Sequence, residues 1–203
     1  MRLGGFVKKT RSPEEWARAN LEMGYSAVNF PVDYTASTQV IDSYKRAAEE
    51  SDLVICEIGV WNNTLERDPV KREENICRAV HQLELIAAID RPGFGVHLDM
   101  VNVINCPTLY YRNGEVIREW FRKLDGHILA CHAKDIILSG RLTVHLDECR
   151  PGTGALDYRA YLECMSKLPE RTCLMLEHMT EKSDYIAAAR YIKGVAAEIG
   201  VTI

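Results

Sequence analysis

Short apolar runs alternate with longer amphipathic runs along the chain, and this alternation constrains the fold most strongly. The apolar runs predicted as strands are RLGGFV, SAVNFPV, LVICEIGV, FGVHLD, HILACHAKDIIL and TCLMLEH. Between and after them, apolar residues recur at helical spacing. Alternating strands and helices predict a parallel sheet with right-handed crossovers, and the near-continuous apolar strands predict that both faces of the sheet are covered.

Capping residues mark the predicted helix boundaries. Ser12 and Pro13 predict a helix start with Glu15 completing a capping box, and Gly24 predicts the end of that helix. Further helices are predicted from about Thr38 to Ser51, over PVKREENICRAVHQLELIAAID after Asp68, over EVIREWFRKL from near Asn113, from about Asp157 to Leu168, and over DYIAAARYIKGVAAEIG with Ser183 as the cap. The segment between the fifth strand and Asp157 is predicted to be a polar loop.

Length and composition predict one domain over residues 1–203, because no linker or low-complexity tract divides the chain. The net charge of −4 argues against nucleic acid as a partner. No apolar stretch reaches the ~18 residues of a membrane span, and MRLGGFVKKTRSPEEW lacks the features of a signal peptide. The seven Cys residues never form C-x-x-C, which favours reduced thiols and a cytoplasmic location.

Three predicted strands carry a metal-binding type of residue at or near their ends: Asp99, His132 and Glu177. The carboxyl ends of parallel strands lie on one side of a sheet, where functional groups gather. Two carboxylates and one imidazole suit Mn²⁺, Mg²⁺, Co²⁺ or Zn²⁺. The alternative is structural, since a polar residue at a strand end often caps a helix or bonds a backbone amide.

Four more residues are candidates for binding a substrate. His97 points to the same side as Asp99 by strand alternation, although it also fits a hydrogen-bonded core histidine. Lys134 offers a cation for a phosphate or carboxylate, or else forms a solvated pair with its neighbour Asp135. Gly152 and Gly154, in RPGTGALDY, either present backbone N–H groups to an anion or make a tight turn.

Two further polar residues near strand ends are predicted to be structural. Glu57 lies within an apolar strand, where a carboxylate needs a partner such as Arg or a metal, and structural pairing is the favoured interpretation. His178 follows Glu177 directly, so strand alternation predicts that its side chain points away from that of Glu177.

Seven segments follow one another along the chain in this order: RSPEEW, GYSAVNFPVDYTAS, EIGVWNN, FGVHLDMVNVIN, CHAKDI, LTVHLDECRPGTGALDY and LMLEHM. Together they resemble the sugar phosphate isomerases and epimerases with a xylose-isomerase-like TIM barrel. The resemblance implies an α/β barrel with a divalent metal held by Glu, Asp, His and Glu. Asp99, His132 and Glu177 match the last three of these ligands. It also implies that Glu177 moves a proton on a carbon next to a carbonyl.

The sequence departs from this family in length. A TIM barrel typically has about 250 residues in eight βα units, whereas about six units are predicted here. The apparent internal deletion falls near residues 80–93, within RAVHQLELIAAIDRPGF, where the family's fourth and fifth strands would lie. The missing fifth strand would carry the first metal-binding Glu. The third and fourth strands would then be open edges. The sequence leaves three outcomes open: a homo-oligomer that covers these edges, a contracted six-stranded barrel, or an unstable truncated product.

The resemblance thus predicts a metal-dependent isomerase or epimerase acting on a small sugar or sugar phosphate, with one of the family's two glutamate bases missing. The alternative is a non-catalytic relative that binds a metal or a small polyol. A metal-dependent phosphodiesterase on the same barrel is disfavoured, because it would need additional His and Asp ligands and a basic surface.

Overall fold

Six parallel strands lie side by side in the computed structural model and curl into a half-barrel, which confirms the predicted TIM-barrel-like α/β fold. The structure describes residues 1–33, 35–58, 63–89 and 95–203, with the backbone alone at 83 and 85–89. The strands of this sheet are β1 (Arg2–Gly4), β2 (Ala27–Asn29), β3 (Val54–Glu57), β4 (Val96–Leu98), β5 (Ile128–Ala133) and β8 (Cys173–Leu176).

The strand order is β3-β2-β1-β8-β5-β4, so β1 and β8 lie at the centre and β3 and β4 at the edges. In β1, Leu3 lies opposite Leu174 of β8, and Gly4 lies opposite Ala27 of β2. This is the order of a barrel opened between β3 and β4, the position of the apparent deletion. Part of that segment, residues 90–94, lies outside the described residues.

Eight helices are described: α1 (Pro13–Glu22), α2 (Thr38–Glu50), α3 (Pro69–Ile89), α4 (Met100–Val103), α5 (Pro107–Tyr111), α6 (Asn113–Lys123), α7 (Tyr158–Met165) and α8 (Lys182–Glu198). The short helices α4 and α5 were not predicted. None of the described helices has the length and apolar character needed to cross a membrane.

The main core is formed by α6, α7 and α8 against β5 and β8. Ile117, Tyr161, Leu174 and Ile192 are fully buried there. A smaller apolar cluster joins α1 and α2 to β2. Helices therefore hold the sheet from outside and leave the carboxyl ends of the strands free to build a site.

The cap predicted for α1 is observed in part, and the cap predicted for α8 is not observed. Ser12 Oγ accepts a hydrogen bond from the Glu15 backbone N–H. The Glu15 carboxylate bonds the N–H of Arg11 and not that of Ser12, so only half of the predicted capping box forms. Helix α8 begins at Lys182, and the prediction that Ser183 caps it is wrong.

The predicted fifth strand is divided at Lys134. Strand β5 ends at Ala133, and the following segment forms β6 (Asp135–Ser139), which pairs antiparallel with β7 (His145–Cys149). This hairpin replaces the first part of the predicted polar loop. The error arose because HILACHAKDIIL is apolar on both sides of the break, which hides a change of direction from a periodicity argument.

Candidate metal centre

Asp99, His132 and Glu177 come together at the carboxyl ends of β4, β5 and β8. Strand β5 lies between the other two, so its histidine is flanked by both carboxylates. His132 Nδ1 lies 3.4 Å from Asp99 Oδ2 and 3.3 Å from Glu177 Oε2. One ligand atom from each residue lies within 4.8 Å of the other two. We call these three residues the acidic cluster.

Asp99 also caps a helix, as the structural interpretation of this residue predicts. Its Oδ1 accepts hydrogen bonds from the N–H groups of Val101 and Asn102 at the start of α4. Its Oδ2 accepts one from the Asn102 side chain and faces His132. The cap fixes the direction of the carboxylate, which is what a preorganised ligand requires.

Lys134 is buried, with 2% of its side chain exposed, and its ammonium joins the acidic cluster. Nζ lies 2.8 Å from Glu177 Oε2, 2.9 Å from Asp99 Oδ2 and 3.4 Å from Glu148 Oε2. The alternative of a solvated pair with Asp135 is wrong. Lys134 supplies the positive charge that balances the carboxylates of the acidic cluster. That it also binds a phosphate or carboxylate of a substrate stays a prediction.

The charges of the cluster shift one another's protonation. Burial raises the pKa of Asp99, but hydrogen bonds from His132 and Lys134 outweigh it and hold that pKa well below its usual value. Burial lowers the pKa of His132, yet Asp99, Glu57 and Glu177 raise it to about 9. For Lys134, burial is likewise outweighed by Glu177 and Asp99, and the pKa is raised.

Glu57 and His97 lie on the other side of His132. The His97 and His132 rings lie against each other at a tilt of 38°, with centroids 3.8 Å apart, and Glu57 Oε1 lies 3.9 Å from His132 Nε2. His97 thus faces the site, as strand alternation predicts. Glu57 pairs with imidazoles, and the sequence argument overlooked it as a member of the site. Its position at the end of β3 was the available signal.

His178 and Glu148 also join the site, and the prediction that His178 points away is wrong. His178 has a φ of 60°, which ends the strand alternation on which that prediction rested. Its Nδ1 lies 3.1 Å from Glu148 Oε1 and from Lys134 Nζ, and its Nε2 lies 3.4 Å from Glu177 Oε1. Glu148 comes from β7 of the unpredicted hairpin.

Gly152 and Gly154 bind a carboxylate of the protein itself. Their N–H groups donate to Asp135 Oδ2 at 2.9 and 3.0 Å. Asp135 Oδ1 accepts from the N–H groups of Ile136 and Leu156, both at 2.9 Å. The turn interpretation therefore fits, and these N–H groups are not free for a substrate anion in this structure.

A cavity of about 930 Å³ opens onto the site. Its lining includes Asn29, Tyr44, Glu57, His132 and Glu177. The volume is in the range of small-molecule sites. The cavity therefore brings a small ligand next to Glu57, His132 and Glu177.

No protein-family model matches the sequence, and no curated protein sequence matches it. Solved structures do match. A xylose isomerase-like TIM barrel protein from Mycobacterium smegmatis, in complex with magnesium, is 13% identical to this chain in sequence, with a TM-score of 0.55. The alignment covers 93% of this chain and 90% of the Mycobacterium smegmatis protein. A xylose isomerase domain protein from Alicyclobacillus acidocaldarius subsp. acidocaldarius is 13% identical with a TM-score of 0.56, covering 98% of both chains.

A xylose isomerase-like TIM barrel/4-hydroxyphenylpyruvate dioxygenase fusion protein is also 13% identical, with a TM-score of 0.58. The alignment covers 97% of this chain and 42% of the fusion protein. These likenesses define the class of fold, a parallel α/β barrel. More particularly, the chain has the xylose-isomerase-like TIM-barrel fold in a half-barrel form.

Proposed function

We propose that the acidic cluster binds a divalent metal ion and that the protein is an isomerase or epimerase of small sugars or sugar phosphates. The observation that carries the proposal is the convergence of Asp99, His132 and Glu177, whose ligand atoms lie within 4.8 Å of one another. Two carboxylates and an imidazole fit Mg²⁺ or Mn²⁺, with Co²⁺ and Zn²⁺ as further candidates.

The residues of the site have distinct tasks in this proposal. A bound divalent ion would act as a Lewis acid on a substrate carbonyl. Glu177, which lines the cavity and lies beside His132 and Lys134, would accept the proton from the neighbouring carbon. Lys134 would hold the Glu177 carboxylate in place through their ion pair, in which Nζ lies 2.8 Å from Oε2.

A non-catalytic role in binding a metal or small polyol is the second candidate. It is supported by the presence of one matched glutamate base where the resembled family has two. Glu57 lies on the far side of His132 from Glu177, facing the other ring nitrogen. The two candidates share the metal site and differ in whether a substrate proton exchanges.

The test begins with Mn²⁺ titration followed by electron paramagnetic resonance, using Asp99→Asn as the site variant and Asp147→Asn as the control. Asp147 lies on β7 and pairs with Arg141 outside the cluster. We expect about one Mn²⁺ per chain, lost in Asp99→Asn and kept in the control. Equal binding by all three proteins would refute the metal site.

The catalytic part is tested by NMR detection of deuterium uptake from D₂O into aldoses, ketoses and their phosphates. Exchange at the carbon next to the carbonyl that disappears in Glu177→Gln supports the isomerase or epimerase. Metal binding without exchange on any of these sugars supports the non-catalytic alternative.

A further inference from the structure

A second set of metal-binding side chains lies on the β3 side of the His132 ring. It consists of Glu57 at the end of β3, His97 in β4 and His132 in β5, and one ligand atom from each lies within 4.8 Å of the other two. We call these residues the imidazole cluster. Metal–ligand bonds of about 2.0–2.2 Å place the ligand atoms of one ion within about 4.4 Å of one another, so little movement is needed for all three to reach one ion.

Two ring nitrogens of this cluster have no hydrogen-bond partner within the described part of the chain. His97 Nε2 and His132 Nε2 are both buried from solvent. In a neutral imidazole with its proton on Nδ1, the Nε2 atom carries a lone pair that a metal ion can accept.

The ligands of the imidazole cluster differ in chemistry from those of the acidic cluster. Two imidazoles and one carboxylate suit Zn²⁺ and Co²⁺, whereas two carboxylates and one imidazole suit harder ions. The ion pairs of Lys134 run to Asp99, Glu148 and Glu177. The ammonium thus lies at the acidic cluster, whereas Glu57 faces the His132 ring, with Oε1 3.9 Å from Nε2.

We propose that Glu57, His97 and His132 form a second metal site, selective for Zn²⁺-type and Co²⁺-type ions. It is a separate site from the one in the proposed function, although both use His132. A neutral imidazole has one lone pair, so His132 serves one ion at a time. When Nε2 binds the ion, the ring proton sits on Nδ1 and points at Asp99 and Glu177, which accept it.

An ion can reach this site from solvent, because Glu57 and His132 both line the large cavity. With three protein ligands, an ion at the imidazole cluster would keep a coordination position for water or a small ligand. The position of the site follows from the half-barrel, which brings a side chain from the edge strand β3 to two histidines near the opposite edge.

The test is a Co²⁺ titration followed by visible absorption, with the wild-type protein and the variants Glu57→Gln, His97→Gln and Asp99→Asn. We expect Co²⁺ affinity to fall at least tenfold in Glu57→Gln and His97→Gln and less than threefold in Asp99→Asn. His127→Gln, an exposed histidine before β5, is the matched control and should bind Co²⁺ normally. Unchanged affinity in both Glu57→Gln and His97→Gln would overturn the proposal.

Two further measurements separate a lost ligand from a lost fold. Glu57→Gln and His97→Gln should still bind Mn²⁺ at the acidic cluster, and this binding shows that the half-barrel is intact. In wild-type protein loaded with Co²⁺, proton NMR should display paramagnetically shifted signals from two histidine rings. Signals from a single ring would assign Co²⁺ to the acidic cluster and refute the second site. Unchanged Mn²⁺ binding in Asp99→Asn would refute only the proposed function and not the second metal site.

Discussion

The Lys134 Nζ atom lies 2.8 Å from the Glu177 Oε2 atom and 2.9 Å from the Asp99 Oδ2 atom. A buried ammonium therefore touches both carboxylates of the acidic cluster. Removing one partner from a buried ion pair leaves an uncompensated charge, whereas a divalent cation supplies a replacement. The lysine and a metal ion thus stabilise the same pair of oxygens.

Lys134→Met should destabilise the metal-free protein by about 3–5 kcal/mol, because Asp99 and Glu177 lose their main counter-charge. Mn²⁺ should raise the melting temperature of this variant more than that of the wild type. Denaturant unfolding with and without Mn²⁺ measures both effects. The control is Lys123→Met, at an exposed helical pair with Glu119, where the loss should stay below about 0.5 kcal/mol. Equal losses in the two variants would contradict this account.

The stability of the metal-free protein should fall as the pH rises from about 6.5 to about 9. Neighbouring carboxylates raise the pKa of folded His132 to about 9, against about 6.5 in an unfolded chain. Its charged form therefore contributes fully below pH 6.5, and this contribution is lost as the pH passes the folded value, up to about 3 kcal/mol. Urea unfolding at pH 6, 7.5 and 9 with a chelator measures the free energy of unfolding. Its dependence on pH should be weaker in His132→Gln than in the wild type. The same dependence in both proteins would contradict this role of His132.

Asp135→Ala should destabilise the protein by about 3 kcal/mol or more. The carboxylate is 1% exposed and accepts hydrogen bonds from four backbone N–H groups, which would be left without partners. Asp147→Ala on the same hairpin removes an exposed ion pair and should lose less than about 1 kcal/mol. The free energy of unfolding from denaturant titration compares the two, and a smaller loss at Asp135 than at Asp147 would be inconsistent with the burial argument.

Gly154→Ala should destabilise the same turn by about 1–3 kcal/mol, because an added Cβ would overlap Asp135 Oδ1 and the Ile136 carbonyl oxygen. Gly140→Ala is the natural control, since a Cβ there meets no atom within 4 Å among the described residues. Thermal melting of the two variants provides the comparison. A melting temperature that falls equally in both would show that the close approach at Gly154 is unimportant.

The sequence was sufficient to predict that Asp99, His132 and Glu177 lie together. Each residue lies at or near the end of an apolar strand, and parallel strands present their carboxyl ends on one side. The order of neighbours follows from right-handed crossovers once the missing units are recognised. The central part of the site therefore depends on local patterns that a sequence displays directly.

The rest of the site depends on features that local patterns do not encode. Glu57 approaches His132 because the half-barrel curls, and curvature of a whole sheet has no signature in one strand. The His178 side chain lies in the site because its backbone adopts a left-handed φ, which is uncommon for a residue with a side chain. Glu148 lies in the site because it belongs to a hairpin whose second strand was predicted as loop.

The centre of the sheet joins the two ends of the chain, because β1 pairs with β8 and Leu3 lies opposite Leu174. During synthesis, β1 and β2 leave the ribosome long before β8, so the edge of β1 that pairs with β8 is unpaired during this time. An unpaired apolar edge is a template for association with other chains. Pairings so distant in sequence also form slowly. The segment that carries β1 and β2 is therefore expected to depend on chaperones until β8 has emerged.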